Sequence, residues 1–110
     1  MSESLKHDIH IECDADYKAD FQLSEDDEKT IIDMTGWTAQ AQLREYPEAI
    51  EYLPFACTAD ETGIHITMAH ENTAKISYTR GHYDVFITDP DGGRTKLIKG
   101  RAYIYPRAVR

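Results

Sequence analysis

The sequence has little cysteine, no long apolar run and no helical periodicity. Its 110 residues include two cysteines, Cys13 and Cys57. Neither belongs to a C-x-x-C or paired-histidine spacing, and no Gly-rich loop is present to cradle a phosphate, so no metal and no cofactor are expected. Both thiols lie in apolar alternation, where free cysteine behaves as a small core residue, and no disulfide is expected. No apolar stretch approaches the roughly 18–20 residues that span a bilayer, so no membrane is implied. The N-terminal "MSESLKHDIHIECDAD" lacks a basic region followed by an apolar core. No secretion signal is therefore expected, and the protein should stay in the cell that makes it or leave by lysis.

Charge, by contrast, is plentiful and unevenly placed. The net charge is −8. Residues 1–33 hold eleven acids and three bases, and residues 34–93 hold nine acids and three bases. Residues 94–110 hold six bases and no acid. So acidic a chain is a poor nucleic-acid partner. The basic residues sit on the returning arm of "GHYDVFITDPDGGRTKLIKGRAYIY" (81–105), which reads as a hairpin closed by Asp-Pro-Asp-Gly-Gly.

A chain of this length forms one domain, 1–110, with a single modest core. Its apolar period is two almost everywhere. Ile9, Ile11 and Cys13 alternate with Asp8, His10, Glu12 and Asp14. Tyr17, Ala19, Phe21 and Leu23 alternate with Lys18, Asp20 and Gln22, and Trp37, Ala39, Ala41 and Leu43 with Thr38, Gln40, Gln42 and Arg44. Ile64, Ile66 and Met68 flank His65 and Thr67. Such alternation marks strands wet on one face, and a second sheet is the natural cover for the other. Turn signals fall at "SEDDEK" (24–29), "MTG", "ADETG" and "DPDGG". Pro54 demotes its run to an edge strand. "HENTAKI" (70–76) lacks alternation and predicts one short helical turn. The expectation is an all-β, immunoglobulin-like antiparallel sandwich of seven or eight strands.

Individual residues follow from parity. Trp37 points inward beside small alanines and reads as core. Gly81-His82-Tyr83-Asp84-Val85 resembles the tyrosine-corner region of immunoglobulin-like sandwiches, with Val85 in place of the cysteine, so Tyr83 and Val85 also read as core. In the last strand Leu97 and Ile98 are adjacent apolar residues. A β-bulge near residues 98–100 would keep Arg94, Lys96, Lys99 and Arg101 on one outer face, two separate short strands being the alternative. Tyr103 and Tyr105 share that face, and tyrosine beside arginine is typical of interfaces. The acidic outer set Asp8, His10, Glu12 and Asp14 is the complementary candidate. Catalytic arrangements are weak: Cys57 with His65 and Asp60 lacks an oxyanion hole, and Glu25 to Glu28 lacks the spacing of a calcium loop. No enzyme is expected.

Two blocks carry a resemblance. Asp33-Met34-Thr35-Gly36-Trp37 with Gln42-Leu43-Arg44 forms the first. Gly81 to Val85, Asp91-Gly92-Gly93 and Lys96 to Ala102 form the second. Together they resemble small immunoglobulin-like virion proteins of tailed bacteriophages, similar in plan to the N-terminal domain of baseplate upper proteins and to tail collar proteins. The resemblance runs from about residue 11 to 107; the acidic "SEDDEK" turn and the acidic first strand depart from it. It implies a structural protein of the tail, neck or baseplate, present in the virion and made in the host bacterial cytoplasm. It implies contacts with copies of itself, as an oligomer or ring, and with other tail or neck proteins. A ring joins unlike patches of neighbouring subunits, which acidic N-terminal and basic C-terminal strands would suit. The alternatives are cancellation of those charges within one subunit, or a module that binds a host-surface glycan or protein.

Overall fold

The computed structural model describes residues 5–24 and 32–106. The acidic run 25–28, most of the "SEDDEK" turn and Arg107 lie outside the described residues. Among the described residues, eight strands and one helical turn follow one another. They are β1 (Leu5–Lys6), β2 (Ile9–Glu12), β3 (Tyr17–Phe21), β4 (Thr38–Arg44), β5 (Leu53–Asp60), β6 (Gly63–Met68), α1 (His70–Thr73), β7 (Arg80–Thr88) and β8 (Arg94–Tyr105). The fold is all-β, and the helix is one turn, as its lack of alternation predicts.

The strands form one curled sheet in the order β1-β8-β7-β4-β5-β6-β3, with β2 also on β8. Strand β5 makes the curl. Its residues Leu53 to Phe55 pair with β4, and Ala56 to Asp60 pair with β6. Among the described residues, the first half of β5 has a neighbour on one side only, so the donor missing at Pro54 breaks no ladder there. The edge strand expected from that proline is thus the first half of a strand that crosses between two layers.

The sheet is mixed, which corrects the expectation of an antiparallel one. Strands β1 and β2 run parallel to β8, with Ile9 opposite Ala102 and Ile11 opposite Ile104. The two ends of the chain meet here without a hairpin, so no turn imposes an antiparallel pairing. The parallel course delivers the chain, through a turn with Asp14 at φ 67°, to β3 in the other half.

Both halves contribute to one core. Ile11, Leu43, Val85, Ile64 and Ile66 are fully buried, and the inward alternation of each strand supplies the rest. Tyr83 is 3% exposed and Val85 is buried outright. Trp37 is only half-buried at the core margin, and Met34 beside it is the buried residue of that turn. Trp37 precedes β4, where the chain has not yet entered the sheet, so strand parity does not bury it.

Candidate functional site

Strand β8 gathers the basic residues on one face by means of a bulge. Val85 pairs with Ile98 and Phe86 with Lys96, which leaves Leu97 as the extra residue. Leu97 and Ile98 are both buried, while Lys96 and Lys99 are exposed. Side-chain direction in a strand alternates strictly, so a regular strand would turn Lys99 and Arg101 into the core. The bulge lies at Leu97 and not at 98–100, and β8 is a single strand of 12 residues.

A second local device sets the neighbouring strand. The Tyr83 hydroxyl donates to the His7 carbonyl at 2.5 Å, and the His7 N–H donates to the Lys99 carbonyl at 3.0 Å. A Cβ at position 100 would overlap that His7 carbonyl, so glycine stands there. Tyr83 therefore pins the N-terminal strand from across the sheet and does not reach a few residues upstream, as a tyrosine corner does. Burial pushes its phenol well above the ordinary tyrosine range, and it stays a neutral donor.

The result is an open groove of about 570 Å³ on the outer face. Lys6, Lys99 and Arg101 line it together with Asp8, Asp84 and Tyr103. Lys6 lies directly opposite Lys99, and Asp84 opposite Lys99 on the other side. Both carboxylates are engaged by other groups of the groove lining. Asp84 pairs with Lys96 at 3.6 Å, and Asp8 accepts the backbone N–H of Arg101 at 3.0 Å. Among the described residues no ion pair involves Lys6, Lys99 or Arg101. Like charges placed opposite one another repel, so the groove favours an incoming anion.

The other predicted residues take separate places. His10 stacks on Tyr103 and Tyr105, with ring centroids 5.4 and 5.8 Å apart, and its Nδ1 lies 2.7 Å from the Tyr105 hydroxyl. Glu12 sits opposite Tyr105 at the far end of β2. Arg94 lies at the start of β8, where it donates to the Gln40 side chain at 3.0 Å and stacks over Phe86. Asp14 has left the strand. The acidic and basic candidate sets therefore share one surface, because β1 and β2 lie beside β8 in the same subunit. Lys6, Arg44, His82 and Asp84 were missed. Parity contained the signal: they occupy the same even positions as Asp8, Gln42 and His10.

A polar cluster stands on the opposite half. His65 Nδ1 lies 2.6 Å from Asp20 and its Nε2 3.1 Å from Asp60, and Thr62 donates to Asp60 at 2.6 Å. Hydrogen bonds donated to Asp20 and Asp60 raise the His65 pKa, while bonds from Thr62 and His65 hold the Asp60 carboxyl down at about 2. Cys57 takes no part. It pairs with Ile66 while Thr58 pairs with His65, so thiol and imidazole point to opposite faces. Burial raises its pKa, the reverse of an activated nucleophile. Among the described residues no group of histidine, cysteine and acids is arranged to hold a metal ion. Among them, too, no helix is long and apolar enough to cross a membrane. Compared with known proteins, the chain matches no family model and no curated sequence.

Proposed function

We propose that the protein is a structural subunit of a tailed bacteriophage particle, in the tail, neck or baseplate. It acts through protein contacts and not by turnover, associating with its own copies and with other tail or neck proteins. The observation that carries this reading is the groove, where the side chains of Lys6, Lys99 and Arg101 form no ion pair among the described residues in a protein of net charge −8. Such a surface suits a docking partner of opposite charge and opposes wrong ones.

The immunoglobulin-like form of the fold belongs to the same proposal. It is supported by the strand order, with β2, β8, β7 and β4 in one layer, β3 and β6 in the other, and β5 crossing between them. The resemblance of the Asp33 to Trp37 and Gly81 to Val85 blocks supports the phage assignment, and with it a place in the virion. The stack of His10, Tyr103 and Tyr105 beside the groove favours a second reading, a module that binds a host-surface glycan or protein. Solution mass across salt concentrations separates the two. Association that weakens as salt rises is the expected result. A monomer at every salt concentration that binds glycans on an array would support the second reading instead.

A further inference from the structure

The loop that joins β4 to β5, residues 45–52, reads "EYPEAIEY". Only Ala49 in it is buried. Ile50 is 93% exposed, and Tyr46 and Tyr52 are about half exposed, at 53% and 48%. Three apolar side chains held out to water at one tip are costly unless something covers them. The loop is nevertheless firmly built. The Ala49 N–H donates to the Tyr46 carbonyl at 3.0 Å. Arg44, at the end of β4, donates to the Ala49 and Ile50 carbonyls, and its guanidinium lies 4.7 Å above the Tyr52 ring. A contact surface ordered before binding loses little entropy on docking.

The same loop is acidic. Glu45, Glu48 and Glu51 alternate with the apolar residues, and no ion pair among the described residues uses them. Arg44, just before the loop, and Pro47 within it both line the basic groove. The face that carries the groove, with three cations outside any ion pair, is thus bordered through Arg44 and Pro47 by a loop whose three carboxylates form no ion pair among the described residues. Within a single subunit they do not meet. A two-fold axis between two such faces sets each loop opposite the other copy's groove, because in an isologous contact every patch meets its complement twice. A ring would need the two patches on separate surfaces.

The geometry points to a two-fold dimer in which loop 45–52 of each copy docks in the Lys6–Lys99–Arg101 groove of the other. Glutamates of the loop meet the lysines and the arginine in charge-assisted bonds, and Ile50 with the tyrosines supplies the apolar anchor. This inference rests on the reading of the β8 face as an assembly surface, and it names the occupant of that surface as a second copy.

Sedimentation of the full chain and two charge-reversed variants tests it. The wild type is expected at twice the mass of one chain in low salt. Lys99→Glu with Arg101→Glu, and separately Glu48→Lys with Glu51→Lys, should each weaken association by about a hundredfold or more, since like charges then face one another. Mixing the two variants in equal amounts should restore a one-to-one dimer, which also shows that both are folded. Ile50→Ser, which leaves the charge unchanged, should weaken the dimer as well. If the Glu48 and Glu51 variant associates like the wild type while the Lys99 and Arg101 variant does not, the loop is not the occupant and the β8 reading stands alone. If neither reversal changes the mass, both fall. A wild type that is monomeric or larger than a dimer, or a mixture that stays monomeric, also overturns the inference.

Discussion

Tyr83 shows how one residue joins distant parts of this chain. Its ring fills the core and its hydroxyl holds the carbonyl of His7 at 2.5 Å. Tyr83→Phe removes the donor and leaves a carbonyl without its partner, which costs about 1–3 kcal/mol. The melting temperature should fall while the secondary structure stays intact; an unchanged value would mean that water replaces the hydroxyl at no cost. His65 works by charge instead. Its pKa is raised above 6.5 and that of Asp60 is lowered from 3.8 to about 2. A raised histidine contributes stability below pH 6.5 that is lost as pH climbs through its folded pKa. A lowered carboxylate contributes stability above pH 3.8 that is lost as pH drops toward 2. The cluster should therefore contribute most between about pH 4 and 6.5. His70, raised by its bond to Asp16, adds to the alkaline loss in the same direction. Melting curves from pH 3 to 9 on the wild type and His65→Gln check this. The variant should lose part of the alkaline slope, and parallel curves would refute the assignment.

At the scale of elements, the bulge in β8 and the glycine after it matter most. Gly100→Ala presses against the His7 carbonyl, so β1 and β2 must shift away from β8. A cost of about 1–3 kcal/mol is expected, as for other overpacked sites, together with faster amide exchange in residues 5–12. Unaltered exchange there would show that the strand adapts without moving. Burial ranks two further substitutions. Leu43 is fully buried and Trp37 half-buried, so Leu43→Ala, at about 2–5 kcal/mol, should lower the melting temperature more than Trp37→Ala does. The reverse order would place the indole deeper than its exposure indicates. Strict alternation made β2, β3, β4 and β6 legible, because a period of two with one wet face has few other meanings. The adjacent pair Leu97 and Ile98 betrayed the bulge, although not its position, since either residue satisfies the same parity. The parallel pairing of β1 and β2 left no mark. It depends on which chain ends meet, and no local turn encodes that. Loop 45–52 was invisible for a related reason: its order comes from the Arg44 contacts, which join residues without any period.

At the scale of the molecule, charge is sorted in space less simply than along the chain. The basic last strand and the acidic first strands lie side by side, yet among the described residues no ion pair joins them. Asp8 binds a backbone N–H, Glu12 faces a tyrosine, and β1 adds Lys6 to the bases. The groove is thus a net cationic feature on an anionic protein, and its proposed use is as a partner surface. The most direct measurement combines melting temperature and solution mass on one variant, Lys99→Glu with Arg101→Glu, at low and high salt. Both side chains are exposed, and surface substitutions shift stability by only about 0.5 kcal/mol. The prediction is an unchanged melting temperature with loss of the salt-sensitive association. A destabilised variant that assembles at the wild-type mass would contradict it, and would mean that these bases hold the subunit together and not its contacts.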